Sequence, residues 1–173
     1  MIIQYESKQT LNGYVELGKK NDFPVIECCP RCRGVVRLKR HGFYWRNAIE
    51  ADVEYRIPIC RLKCPACEKT VSLLPHFLIP YFQHVLQQVV CEVHKSLTEP
   101  IRTCRQRIAF YRKRYLGQIK QVEMFFRAEG FREKLPGDLN EKAIKLIEMI
   151  RAFGEATFVR RSKGHFKTNF MAL

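Results

Sequence analysis

Carboxylates are scarce in this chain: 17 Asp and Glu stand against 31 Lys and Arg, a formal charge of +14 over 173 residues. Aspartate is scarcer still, with only Asp22, Asp52 and Asp138. No cluster of carboxylates or histidines with catalytic spacing can be traced, so nuclease chemistry and enzymatic function in general are not expected. Long apolar runs are missing as well. The longest apolar patch, around Val71 to Phe82, is broken by prolines and a histidine, and no bilayer-spanning segment or membrane partner is expected. Nothing at the N-terminus resembles a secretory signal, so a cytoplasmic location is expected. The charge excess itself predicts attraction to a polyanion. The 12 Phe and 7 Tyr argue against a disordered chain, and the length allows one medium domain or two small ones with a real core.

What the sequence does have is a pair of matching cysteine turns, Cys29-Pro30-Arg31-Cys32 and Cys64-Pro65-Ala66-Cys67. A Cys-x-x-Cys turn can present both sulfurs to one ion, and two such turns complete a tetrahedral thiolate site of the structural zinc type. The proline after the first cysteine of each pair fixes φ in the turn, and Gly34 is expected to relieve the backbone just beyond the first. A disulfide framework would need an oxidising compartment, and a redox pair would explain one turn and not two. Cys29, Cys32, Cys64 and Cys67 are therefore the expected zinc ligands, closing the shell so that the ion is structural. Spacing leaves open whether Cys28 or Cys60 substitutes as a ligand. Otherwise Cys28, Cys60, Cys91 and Cys104 are expected to be small buried residues.

The expected fold class is α+β: a small zinc-ribbon β domain over 1–75, a helical domain with a helix-turn-helix over 76–153, and a basic, Phe-containing tail over 154–173. Before the knuckles, Asn12-Gly13 is a hairpin signal, suggesting one or two short strands. Between them, Val35–Trp45 and Val53–Leu62 are rich in β-branched and aromatic residues and suit two antiparallel strands. Arg37, Lys39, Arg40 and Arg46 crowd the first of these, either as a solvated face or as a phosphate-contacting ribbon with an aromatic tip at Phe43-Tyr44-Trp45.

After the second knuckle, Pro80 is placed to begin a helix whose stripe is Phe82, Val85, Leu86, Val89, Val90 and Val93. Ser96 to Glu99 has the spacing of a capping box for the next helix, with Ile101, Cys104, Ile108, Tyr111 and Tyr115 on one face. From Ile101 to Lys120 there are seven basic residues and no acidic one. A helix, a short turn and a strongly basic helix have the outline of a helix-turn-helix that enters the major groove of double-stranded DNA. Arg102, Thr103, Arg105 and Gln106 are then the base-reading candidates, and Arg107, Arg112, Lys113 and Arg114 the phosphate candidates. Two further helices, Ile119–Glu129 and Glu141–Phe153, should complete the core. The tail either docks on the domain, pairs with a second copy of the chain as a homodimer, or orders on meeting a partner.

The knuckles, the run Arg40-His41-Gly42-Phe43-Tyr44-Trp45-Arg46 and the continuation Lys69-Thr70-Val71-Ser72-Leu73-Leu74-Pro75 resemble the zinc-ribbon front end of bacterial insertion-sequence transposases and of related small uncharacterised zinc-ribbon proteins. The segment with Arg105-Gln106-Arg107 and Tyr111-Arg112-Lys113-Arg114-Tyr115 is similar to their helix-turn-helix. The likeness covers about residues 28 to 116. Those transposases continue into an RNase H-like domain with three carboxylates, for which about 60 further residues here have no room. The resemblance implies DNA recognition in a mobile-element setting without the transposase reaction. The expectation is a non-enzymatic, zinc-containing DNA-binding protein acting as an accessory or regulatory factor, with a recombinase or transposase chain as a candidate partner. Two alternatives stand beside it: an adaptor that modulates such an enzyme, and a single-stranded RNA binder.

Overall fold

A computed structural model describes residues 1–100, 105–166 and 169–171. The chain is α+β, with a four-stranded sheet in the first half and six α-helices among the described residues, five of them in the second half. It forms two compact units, Met1–His84 and Val85–Leu173.

The first unit contains β1 (Ile2–Tyr5), α1 (Leu11–Leu17), β2 (Lys39–Glu50), β3 (Val53–Lys63) and β4 (Thr70–Pro75), with strand order β1-β4-β3-β2. β2 and β3 are an antiparallel hairpin joined by Ala51 and Asp52, both in the left-handed region at φ 47° and 64°, the conformation a two-residue hairpin turn demands. Register shifts between Arg40 and Gly42, where His41 is the extra residue and Gly42 takes φ 148°. β4 adds antiparallel to β3, and β1 adds parallel to β4. The first of the two expected strands thus starts later and runs further than residues 35–45.

Asn12-Gly13 does not make a hairpin. Thr10 caps α1, its Oγ1 accepting from Gly13 N at 3.4 Å, and Tyr14 anchors the helix by donating from its hydroxyl to Pro58 O at 2.9 Å. Pro58 pairs with Trp45 of β2 and lies outside the stretch of β3 that β4 pairs with, and its carbonyl accepts from the tyrosine.

Segment 76–84 is tied to the sheet and belongs to the first unit. Gln4 Nε2 donates to Leu78 O at 2.8 Å, Ser7 N to His76 Nδ1 at 3.0 Å, and Ile49 N to Gln83 O at 2.9 Å. Pro80 therefore begins no helix, and the first compact unit runs on to His84.

In the second unit, α2 (Leu86–Thr98) buries Leu86, Val89, Val90, Val93 and Leu97. Ser96 lies inside α2, its Oγ donating to Val93 O at 2.7 Å, and Glu99 caps the C-terminus, so the capping box does not form. α3 (Arg105–Leu116) buries Tyr111 and Tyr115, and α4 (Ile119–Ala128) buries Ile119, Val122, Phe125 and Phe126. α5 (Leu139–Phe153) starts on Asp138, whose Oδ1 accepts from Asn140 N and Glu141 N at 2.9 Å, and ends at Gly154 with φ 88°. Among the described residues of the tail, α6 (Glu155–Arg161) and the turn after it put Phe158, Phe166 and Phe170 into one aromatic cluster. Phe158 meets Phe125 edge-on at 5.1 Å and Phe170 at 5.0 Å. No described helix is long and apolar enough to cross a membrane.

Candidate metal centre and basic ribbon

Both knuckles are built as the same turn. In the first, Cys29 N donates to Gly34 O at 3.0 Å and Arg33 N to Cys29 O at 2.8 Å. In the second, Cys64 N donates to Lys69 O at 3.0 Å and Glu68 N to Cys64 O at 2.9 Å. Each closes on a left-handed residue four positions after its first cysteine, Arg33 at φ 59° and Glu68 at φ 56°. The strained position is thus Arg33, not Gly34, where an added Cβ would make only ordinary contact, 3.5 Å from Cys32 Sγ.

β3 delivers Cys64 at its end and β4 begins just after Cys67, so the hairpin geometry sets the second knuckle against the first. Cys29 Sγ lies 3.8 Å from Cys67 Sγ, and Cys32 Sγ lies 3.9 Å from Cys64 Sγ. All four sulfurs fall within 4.8 Å of one another, and the described cysteines are all free thiols. A tetrahedron of sulfurs bonded at about 2.3 Å to a central ion has edges of about 3.8 Å. Cys29, Cys32, Cys64 and Cys67 can therefore hold a metal ion with little rearrangement. N–H groups of Cys32 and Arg31 pull the Cys29 thiol down to about 6. At Cys32 an N–H from Gly34 pulls the same way, but the Cys29 sulfur and burial outweigh it and push that thiol up to about 11. A divalent cation bound here would take all four sulfurs as thiolates.

Of the other cysteines, Cys60 is fully buried in the core beside the site, among Leu38, Leu62, Val71 and Leu73, and desolvation raises its thiol. Cys28 is exposed and Cys91 half-buried, against the expectation that both are buried; Cys104 lies outside the described residues.

The ribbon's Arg37, Lys39 and Arg40 are exposed. Arg40 stands over two rings, 5.6 Å from the Phe23 centroid and 5.8 Å from that of Phe43. Arg46 is different: its Nη2 donates to Ile79 O at 2.8 Å and to Phe82 O, pinning segment 76–84 to β2. Lys19 carried no signal in the sequence, yet its ammonium lies 6.0 Å from the ring centres of both Phe43 and Trp45.

On α3 the cations likewise separate into two kinds. Gln106 and Lys113 are exposed. Arg107 pairs with Glu92 at 2.9 Å. Arg112 donates to Ser96 O at 3.1 Å and Asn140 Oδ1 at 3.2 Å. Arg114 donates to Met171 O at 2.9 Å and lies 4.4 Å from the Phe110 ring centre. Three of the expected phosphate contacts are therefore engaged in holding the second unit together. Arg105 is the first residue of α3; Arg102 and Thr103, with the turn a helix-turn-helix needs, lie outside the described residues.

Residues 29–112 match the model of a family described as a domain of unknown function (DUF6431), a span that takes in both knuckles, β2 to β4 and α2. No curated protein and no solved structure matches the chain.

Proposed function

We propose that this is a non-enzymatic, zinc-containing DNA-binding protein whose principal grip is the ribbon. One observation carries the reading. Lys39 and Arg40 stand exposed at the start of β2 and Arg37 stands exposed just before it, beside the four-cysteine cluster, in a stretch with no carboxylate between Glu27 and Glu50. Zinc is the ion that suits four thiolates in a tetrahedron, and its closed shell leaves no position for substrate, so the metal stiffens the ribbon and does no chemistry. Exposed Gln106 and Lys113 supply a second contact from α3. The resemblance to transposase front ends supports an accessory role beside a recombinase, in a reducing compartment where free thiols persist.

The test is retention on duplex DNA as salt is raised. Affinity should fall steeply, and neutralising Arg37, Lys39 and Arg40 together should flatten the log–log slope by about 2.7, or 0.9 for each phosphate contact. An affinity that ignores both salt and these substitutions would remove the proposal.

A further inference from the structure

Resting on that reading, we propose that the ribbon carries a subsite for an unpaired base, with Trp45 as its stacking surface, so that single-stranded nucleic acid binds more tightly than fully paired duplex. Phe43 and Trp45 are two apart on β2 and so leave the same face of the sheet. Their cross-strand partners are Cys60 and Pro58. Phe43 is used by the fold, packing 5.7 Å from Phe23 beside the core around the cysteines. Trp45 is not enclosed in the same way, with 49% of its surface open.

The charges around the two rings point to the occupant. Lys19 bridges Phe43 and Trp45 at 6.0 Å from each, and Arg40 lies 5.8 Å from the Phe43 ring centre. Among the described residues neither cation is paired with a carboxylate. A half-open indole that merely capped the core would call for no such charge. An ammonium beside the indole and a guanidinium one ring away can take the phosphates of a strand whose base covers Trp45. Aromatic faces flanked by backbone-tracking cations are how unpaired strands are held with little regard to sequence. In a duplex the base faces are already stacked on one another, so the indole gains nothing from them.

Trp45 is the sole tryptophan of the chain, so its fluorescence reports directly on the subsite. The metal-loaded full-length protein is titrated with oligothymidylate, oligouridylate and a blunt duplex at equal phosphate concentration. Saturable quenching by the single strands and not by the duplex is expected. Trp45→Ala should weaken single-strand binding, read by anisotropy of the labelled oligonucleotide, by roughly tenfold or more, while Trp45→Phe keeps most of it. The two single strands offer the same ligand chemistry, and whichever binds tighter names its source. Equal quenching by duplex and single strands would overturn the subsite. So would a folded Trp45→Ala variant, checked by its melting transition, with unchanged single-strand affinity. If duplex is still held in a salt-dependent way when the subsite fails, DNA binding stands without it. If no nucleic acid binds at all, the proposed function fails with it.

Discussion

Arg46 Nη2 lies 2.8 Å from the carbonyl oxygen of Ile79 and donates also to Phe82 O, closing segment 76–84 onto the edge strand of the sheet. Burial is the first cause of a lowered guanidinium pKa there, partly offset by Tyr44, yet an arginine remains charged. This side chain is a clip for the fold. Arg46→Ala should destabilise the first unit by about 3 kcal/mol, because two acceptors lose a charged donor. Arg46→Lys should recover part of that. Urea unfolding of the metal-loaded protein measures the effect, and salt-dependent retention on DNA should be unchanged at temperatures where the variant is folded. A fully stable Arg46→Ala protein with weakened DNA binding would return Arg46 to the phosphate-contacting set.

Cys64 is fully buried in the same core as Leu62 and Val71, so its loss removes a metal ligand and a core residue together. In small thiolate sites the metal's binding free energy, about 10 kcal/mol or more, is folding free energy. Cys64→Ser, or a strong chelator, should abolish metal retention and the near-ultraviolet signal of Trp45. Metal analysis and circular dichroism follow the two losses. Cooperative unfolding of the sheet with less than one equivalent of metal would contradict the clamp.

Arg112 and Lys113 are adjacent on α3 and should behave oppositely. Arg112 spans Ser96 O and Asn140 Oδ1, so Arg112→Ala should lower stability by about 2 kcal/mol. Lys113 is exposed, and Lys113→Ala should change stability by less than about 0.5 kcal/mol while weakening DNA binding at every sequence. Paired melting and binding measurements separate the two roles. Equal effects of both variants on binding, with neither affecting stability, would show that α3 presents both to the phosphates.

These contrasts mark what could be read from the chain alone. The knuckles were legible because one turn is encoded within six residues, and Cys29 to Gly34 and Cys64 to Lys69 repeat it with the same hydrogen bonds. α4 was legible because Ile119, Val122, Phe125 and Phe126 recur at helical spacing and all four are buried. The fate of Arg46, Arg112 and Arg114 was not, because their acceptors belong to Ile79, Ser96 and Met171, which no local window contains. Asn12-Gly13 misled for a related reason: the helix there is fixed by Tyr14 reaching Pro58, 44 residues on. Lys19 joins the ribbon only because α1 and the turn after it fold against β3, which a charge count along the sequence cannot show.

The last prediction concerns alkaline pH. Desolvation raises the phenol pKa of Tyr5 and Tyr111 to about 12, and it raises Tyr14 and Tyr115 further. In the unfolded chain all four ionise near 10. Below that pH both states keep their phenolic protons and stability is unaffected. Above it the unfolded state loses protons that the folded state retains, so stability falls as pH rises past about 10. Tyr14→Phe removes one such group together with its bond to Pro58 O, so it should lower stability at neutral pH and make the alkaline decline shallower. Urea midpoints on either side of pH 10 test this. A Tyr14→Phe protein that declines as steeply as the parent would show that Tyr14 does not keep its proton above pH 10 in the folded state, and would overturn the prediction.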